Sequence, residues 1–123
     1  MTAKVCDASA IAAILFGEPG FESVAARLEG HLLVAPSLLP YELANIGIKK
    51  ARRHTAEAGL LAKFLDYFTA MEIHLHDVNA QNAFDLARKM GLSGYDASYL
   101  WLARELGIEL VTLDKQLERA ATG

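Results

Sequence analysis

Apolar residues follow two rhythms along this chain. Short continuous runs, bounded by polar residues or by glycine, mark strands at Lys4-Val5-Cys6-Asp7, His31-Leu32-Leu33-Val34-Ala35, Ile73-His74-Leu75-His76 and Glu109 to Leu113. Between them the apolar positions recur at helical spacing. Ser9 is the expected cap of a helix over residues 10–16. Gly17-Glu18-Pro19-Gly20 is a turn, and Phe21, Val24, Ala25 and Leu28 form the next stripe, stopped by Gly30. Ser37 is the expected cap of a helix with Pro40 in its first turn, running through Leu43, Ile46 and Ile48 to Arg53. His54-Thr55 interrupts. Ala56 to Met71 then reads as one helix with a stripe of Leu60, Leu61, Phe64, Leu65 and Phe68, making an α-hairpin with its predecessor. Asn79 caps a helix to Met90 that Gly91 ends, residues 93–106 form another stopped at Gly107, and residues 115–121 form the last.

Strands thus alternate with helices, and the strands are apolar throughout instead of alternating apolar with polar. That pattern predicts an α/β protein with a central parallel sheet covered by helices on both faces. Four strands are legible, and a fifth is not visible before Gly123. The helix over residues 93–106 spans about 21 Å and the following strand returns about 16 Å. Asp96 and Asp114 are therefore expected at one edge, the carboxyl end of the strands, where open α/β sheets bind ligands.

Composition narrows the reading. A chain of 123 residues with 53% hydrophobic and 22% charged residues fits one compact domain over residues 1–123 with a well-filled core. A net charge of −3 leaves only a local basic patch to serve a polyanion. The single cysteine, Cys6, excludes an internal disulfide and fits a reducing compartment, as a packing residue and not a nucleophile. Asp7 interrupts the approach to the short run Ala10–Phe16, so neither a signal peptide nor a membrane span is expected, and the expected compartment is the cytoplasm.

Four carboxylates stand where a strand ends or a helix begins: Asp7, Glu42, Asp96 and Asp114. Right-handed crossovers bring all four to the same edge. Acids at such places also serve as caps and dipole partners, and Ser93-x-x-Asp96 resembles a capping box. Two spacings favour more than capping. Asp96 shares its helix side with Leu100 and Ala103, and Glu42 is followed by Ile46 at four residues. Converging carboxylates on apolar faces repel one another and need a cation, and an all-oxygen pocket suits Mg²⁺ or Mn²⁺. Such an ion activates water for phosphodiester hydrolysis.

Val-Cys-Asp-Ala-Ser at 5–9, Tyr-Glu-Leu-Ala-Asn at 41–45, Gly-Tyr-Asp-Ala-Ser-Tyr-Leu-Trp-Leu-Ala at 94–103 and Leu-Val-Thr-Leu-Asp at 110–114 resemble the PIN-domain ribonucleases, and more narrowly the VapC toxins of type II toxin–antitoxin systems. The likeness spans essentially the whole chain and keeps the order and spacing of the acids. It implies a three-layer α/β/α fold with four to five parallel strands and a protruding α-hairpin, and Mg²⁺- or Mn²⁺-dependent endoribonuclease activity. By resemblance, Asp7, Glu42, Asp96 and Asp114 are the catalytic quartet, with Asp7 and Asp96 the metal ligands. Ser9 and Thr112 match hydroxyl positions that place water or phosphate, and Asn45 belongs to the same rim. The implied partners are RNA, a cognate antitoxin whose C-terminal segment blocks the pocket, and a second copy in a homodimer.

Lys49, Lys50, Arg52 and Arg53 put four positive charges in five residues at a helix end, where they complement the dipole. Lys49 lies about 10 Å along the helix from Glu42, so the cluster is also a candidate RNA-binding patch. His74 and His76 alternate on one strand without a third ligand, which points to a strand edge and not to a metal site. Two other functions share the pattern. One is a non-catalytic PIN-like module binding a basic peptide at its acidic edge. The other is a receiver-like phosphoacceptor domain, which wants an acidic neighbour that Val5-Cys6-Asp7-Ala8 lacks.

Overall fold

The computed structural model of the chain describes residues 2–123, with the side chain of Leu60 outside that description. Four parallel strands, β1 (Ala3–Cys6), β2 (Leu32–Pro36), β3 (His74–His76) and β4 (Glu109–Val111), form one sheet in the order β3-β2-β1-β4. In the register, Val5 lies between Val34 and Leu110, and Cys6 opposite Val111. These residues are buried because helices cover both faces, which explains the absence of alternation in their sequence. β3 differs. All three of its residues are exposed, so His74 and His76 sit on a short edge strand.

α7 (Gly94–Leu106) packs against β1, β2 and β4, with α6 (Ala80–Met90) and α8 (Lys115–Thr122) beside it. Its buried residues Ala97, Ser98, Tyr99, Leu100, Leu102 and Ala103 leave little of its circumference polar, as a central helix requires. Gly107, at φ 66°, ends it in the left-handed region, and the next amide, Ile108 N–H, bonds back to Ala103. α1 (Ala8–Phe16) packs on α2 (Phe21–Leu28) and α3 (Leu39–Arg53). Ile11, Leu39, Leu43, Leu100 and Leu117 are almost wholly buried, each contributing about 1.5–3 kcal/mol of apolar transfer. That core fixes where the strand ends lie.

Three expectations need correction. The single helix over 56–71 is broken into a 3₁₀ turn (Thr55–Glu57), α4 (Ala58–Leu61) and α5 (Phe64–Ala70). Packing decides this: Phe64 meets Phe16, with ring centroids 6.3 Å apart, and Phe68 enters the core, so α5 docks on α1. A four-residue helix containing Gly59 has little intrinsic stability to resist. Leu60, read into the same stripe, has its side chain outside the described residues. Ser9 and Ser37 are not caps. Asp7 caps α1, whereas α3 follows Leu38 with no side-chain cap, Ser37 Oγ donating instead to Asp77. β4 ends at Val111, two residues short of expectation, because Thr112 turns its hydroxyl onto Asp7.

Candidate active site

Asp7 leaves the end of β1 as the N-cap of α1. Its Oδ1 accepts from Ala10 N–H at 3.0 Å and from Ser9 Oγ at 2.8 Å, and its Oδ2 accepts from Thr112 Oγ1 at 2.6 Å. The Thr112 hydroxyl in turn accepts from Asp114 N–H, and Ser9 Oγ accepts from Leu113 N–H, both at 3.0 Å. Two hydroxyls therefore tie the end of β1 to the end of β4 and hold a carboxylate that is 5% exposed. Thr112 is itself buried, so its hydroxyl serves Asp7 and not a ligand in solvent.

The other acids join from three helices. Asp114 caps α8 through Oδ1, which accepts from Leu117 N–H at 2.8 Å. Asp96 lies in the first turn of α7, where Ser93 Oγ accepts from its amide at 3.0 Å. The reciprocal half of a capping box is missing: among the described residues the Asp96 carboxylate has no hydrogen-bond partner in the protein. Glu42, in the first turn of α3, has Oε1 2.6 Å from the hydroxyl of Tyr99, which donates to it.

Burial first, and then the charges of Asp114 and Asp7, push the Asp96 carboxyl above its ordinary value. Burial pushes Asp7 up as well, against the hydrogen bonds from Thr112, Ala10 and Ser9, and Asp114 adds to the rise. Glu42 is raised by burial, opposed by the Tyr99 hydrogen bond, and raised further by Asp96 and Asp7. Asp7, Glu42 and Asp96 thus each feel a neighbouring carboxylate, and the charge of Asp114 acts on Asp7 and Asp96, so the acids form one electrostatic cluster. Among the described residues, the ion pairs of Lys and Arg go to Glu109 and Glu18 and none reaches the cluster.

Tyr99 went unnoticed in the sequence, where it passes for packing on a buried helix. Two signals mark it: a buried tyrosine needs a partner for its hydroxyl, and it follows Asp96 by one helical turn. Burial and the adjacent Glu42 carboxylate hold the phenol far above its usual range, so it acts only as a donor.

The donors fit a hard cation. Carboxylate oxygens converge with no sulfur or imidazole among them, and the Cys6 thiol faces Val34 O on the other side of β1, its pKa pushed up to about 12 chiefly by burial. Among the described residues no three His, Cys, Asp or Glu side chains are already arranged to hold one ion. Mg²⁺, which keeps several of its waters, can be held by one or two carboxylates.

The remaining candidates lie further out on α3. Asn45 is exposed and lines a cleft with Glu42. Lys49, Arg52 and Arg53 are exposed, while Lys50 turns away to pair with Glu18 at 2.7 Å and to lie 5.9 Å from the Phe16 ring.

A model of the PIN domain family matches residues 4–123. The chain belongs to the PIN-domain family. This PIN domain is 38% identical over 121 residues to Ribonuclease VapC3 of Pyrobaculum aerophilum, covering 92% of this chain and 90% of that protein. Its fold overlays PAE2754, also from Pyrobaculum aerophilum, with a TM-score of 0.79 at 27% identity, over 99% of this chain and 87% of that one. It also overlays Mycobacterium tuberculosis VapC20, a sarcin-ricin loop cleaving toxin, with a TM-score of 0.68 over 96% of this chain and 95% of that one. Identity to VapC20 is 15%, so that likeness speaks for the three-layer fold alone. Among the described residues no helix is long and apolar enough to cross a membrane.

Proposed function

We propose that this PIN domain is an Mg²⁺- or Mn²⁺-dependent endoribonuclease and the toxin of a type II toxin–antitoxin pair. One observation carries the chemistry: burial and neighbouring carboxylate charge, that of Asp114 included, raise Asp7, Glu42 and Asp96 at one sheet edge, and among the described residues no lysine or arginine forms an ion pair with them. Such a cluster is costly unless a cation is bound. The similarity to Ribonuclease VapC3 supports RNA as substrate, and with it the cytoplasm as the compartment and an antitoxin as the controlling partner.

When bound, a divalent ion supplies positive charge for the phosphate and lowers the pKa of a coordinated water. Asp7 and Asp96 would hold it, one carboxylate nearly buried and fixed by three hydrogen bonds, the other without a hydrogen-bond partner among the described residues. Glu42, held through one oxygen by Tyr99, keeps the other to orient the attacking water in line with the scissile bond. Asp114 keeps Oδ2 for the same work, since Leu117 N–H takes Oδ1. Ser9 and Thr112 keep Asp7 in place. Lys49, Arg52 and Arg53 offer phosphate contacts along α3, and Lys50 joins them by leaving Glu18. The unit acts as a homodimer.

Asp96→Asn tests this directly. Because Asp96 makes no capping bond, the variant is expected to fold as the wild type does while losing Mn²⁺-dependent RNA cleavage by about a thousandfold. Cleavage at the wild-type rate by the purified variant overturns the assignment. A wild type that binds neither Mn²⁺ nor RNA but binds a basic peptide establishes the non-catalytic module instead.

A further inference from the structure

Two large aromatic side chains stand in solvent beside the acid cluster. Tyr41 is 77% exposed and Tyr95 is 66% exposed. Tyr41 immediately precedes Glu42 in the first turn of α3, and Tyr95 immediately precedes Asp96 in the first turn of α7. Both line one cleft of about 480 Å³ together with Leu38, Glu42, Asn45 and Ile46. That is an ordinary size for a small-ligand site, roughly 300–1,000 Å³. Among the described residues neither phenol is hydrogen-bonded to the protein. Their exposure gives them no core to support.

We infer that this cleft takes an unpaired nucleobase, stacked on the rings of Tyr41 and Tyr95, from the RNA strand whose phosphate meets the carboxylates. The inference rests on the ribonuclease reading above and adds how the strand is gripped. Aromatic faces accept any base, and each stacked base contributes substantially to single-strand affinity. The exposed Asn45 amide carries a donor and an acceptor, the pair that a base edge offers in return. Glu42 in the wall of the same cleft keeps the attached ribose-phosphate close to the acid cluster. The charge beyond the cleft selects the occupant. Lys49 and Arg53 follow Asn45 at four-residue steps on α3 and so continue along the same side of the helix. They attract the next phosphates of a nucleic-acid strand and repel a basic peptide that the carboxylates alone would welcome. A base pair hides both faces of its bases, so the cleft selects single strands and loops.

The test compares binding of a labelled oligoadenylate of about 12 nucleotides, an abasic strand of equal charge, and the oligoadenylate paired with oligouridylate. The full chain carrying Asp96→Asn keeps the strands intact. The parent protein is expected to bind oligoadenylate more tightly than the abasic strand or the duplex. Tyr41→Ala and Tyr95→Ala are each expected to weaken oligoadenylate binding about 5- to 150-fold and leave the abasic strand unchanged. Tyr41→Trp and Tyr95→Phe, which keep the ring, are expected to retain affinity and guard against a folding defect. Equal affinity of the parent for oligoadenylate and the abasic strand overturns the inference. So do alanine variants that bind oligoadenylate normally, which assigns the tyrosines to a protein partner. Failure of the wild type to cleave any RNA with Mn²⁺ sinks the parent reading, whereas cleavage with unaffected tyrosine variants sinks only this one.

Discussion

The two ends of β1 carry acids in opposite circumstances. At the start of the strands, Glu109 accepts from Arg27 Nη2 at 2.6 Å and lies 3.3 Å from Lys4 Nζ. Arg27 first, then Lys4, hold its carboxyl below the usual range. Three residues on from Lys4, about 10 Å away, Asp7 belongs to a cluster in which burial first, and then neighbouring carboxylates, push Asp7, Glu42 and Asp96 upward. Residue type does not distinguish the two ends, and neither does proximity to the sheet. What distinguishes them is that two cations form ion pairs at one end and, among the described residues, none does at the other. The satisfied end is structural. The unsatisfied end is where an external cation has something to neutralise.

The contrast can be pressed in order of effect. Tyr99→Phe removes the only protein hydrogen bond of the Glu42 carboxylate among the described residues while keeping the buried ring. Mn²⁺ affinity and RNA cleavage are each expected to fall about 10- to 100-fold, with a stability loss of about 1–2 kcal/mol by denaturant unfolding. Unchanged cleavage removes Glu42 from the machinery. Next, Mn²⁺ at a hundredfold excess over its Kd is expected to stabilise the wild type by about 2.7 kcal/mol in thermal unfolding and to leave Asp7→Asn little changed. Equal stabilisation of both proteins places the ion elsewhere.

The third effect concerns pH without divalent ions. Asp7, Glu42 and Asp96 have raised folded values, so their contribution to stability is fully present in acid, below the unfolded values near 4, and is lost as pH rises through the folded ones. The neutral side chain of Asp96→Asn escapes its share of that loss. Its Tm relative to the wild type is therefore expected to climb between about pH 4 and pH 7, and a flat difference contradicts the repulsion. Glu109 runs the other way, its stabilisation present at neutral pH and lost in acid. Glu109→Gln, with a side chain 49% exposed, is expected to cost at most about 1 kcal/mol at pH 7 and to leave cleavage untouched.

Much of this was written locally. The strands at Val5-Cys6, Val34-Ala35 and Leu110-Val111 announce burial on both faces through unbroken apolar runs, and Asn79, Gly91, Ser93 and Gly107 mark helix ends through their own backbone and hydrogen-bond preferences. The order of four acids at strand ends and helix starts was enough to find the PIN family. The helix over 56–71 misled because a clean apolar stripe says nothing of where Phe64 and Phe68 must dock. Ser9 misled because a serine and an aspartate two residues apart are both good caps, and the register of β1 with β4 chose Asp7.

By itself, then, the sequence determined the alternation of strands and helices, the parallel sheet and the place of the acids along the chain, because these follow from periodicity, turn chemistry and handed crossovers. Only the tertiary structure decided what each acid touches. Thr112 reaches Asp7 across 105 positions, Tyr99 reaches Glu42 across 57, and Tyr41 meets Tyr95 at one cleft from different helices. Such partners are distant in the chain and adjacent only after the sheet has formed, so no local pattern encodes them.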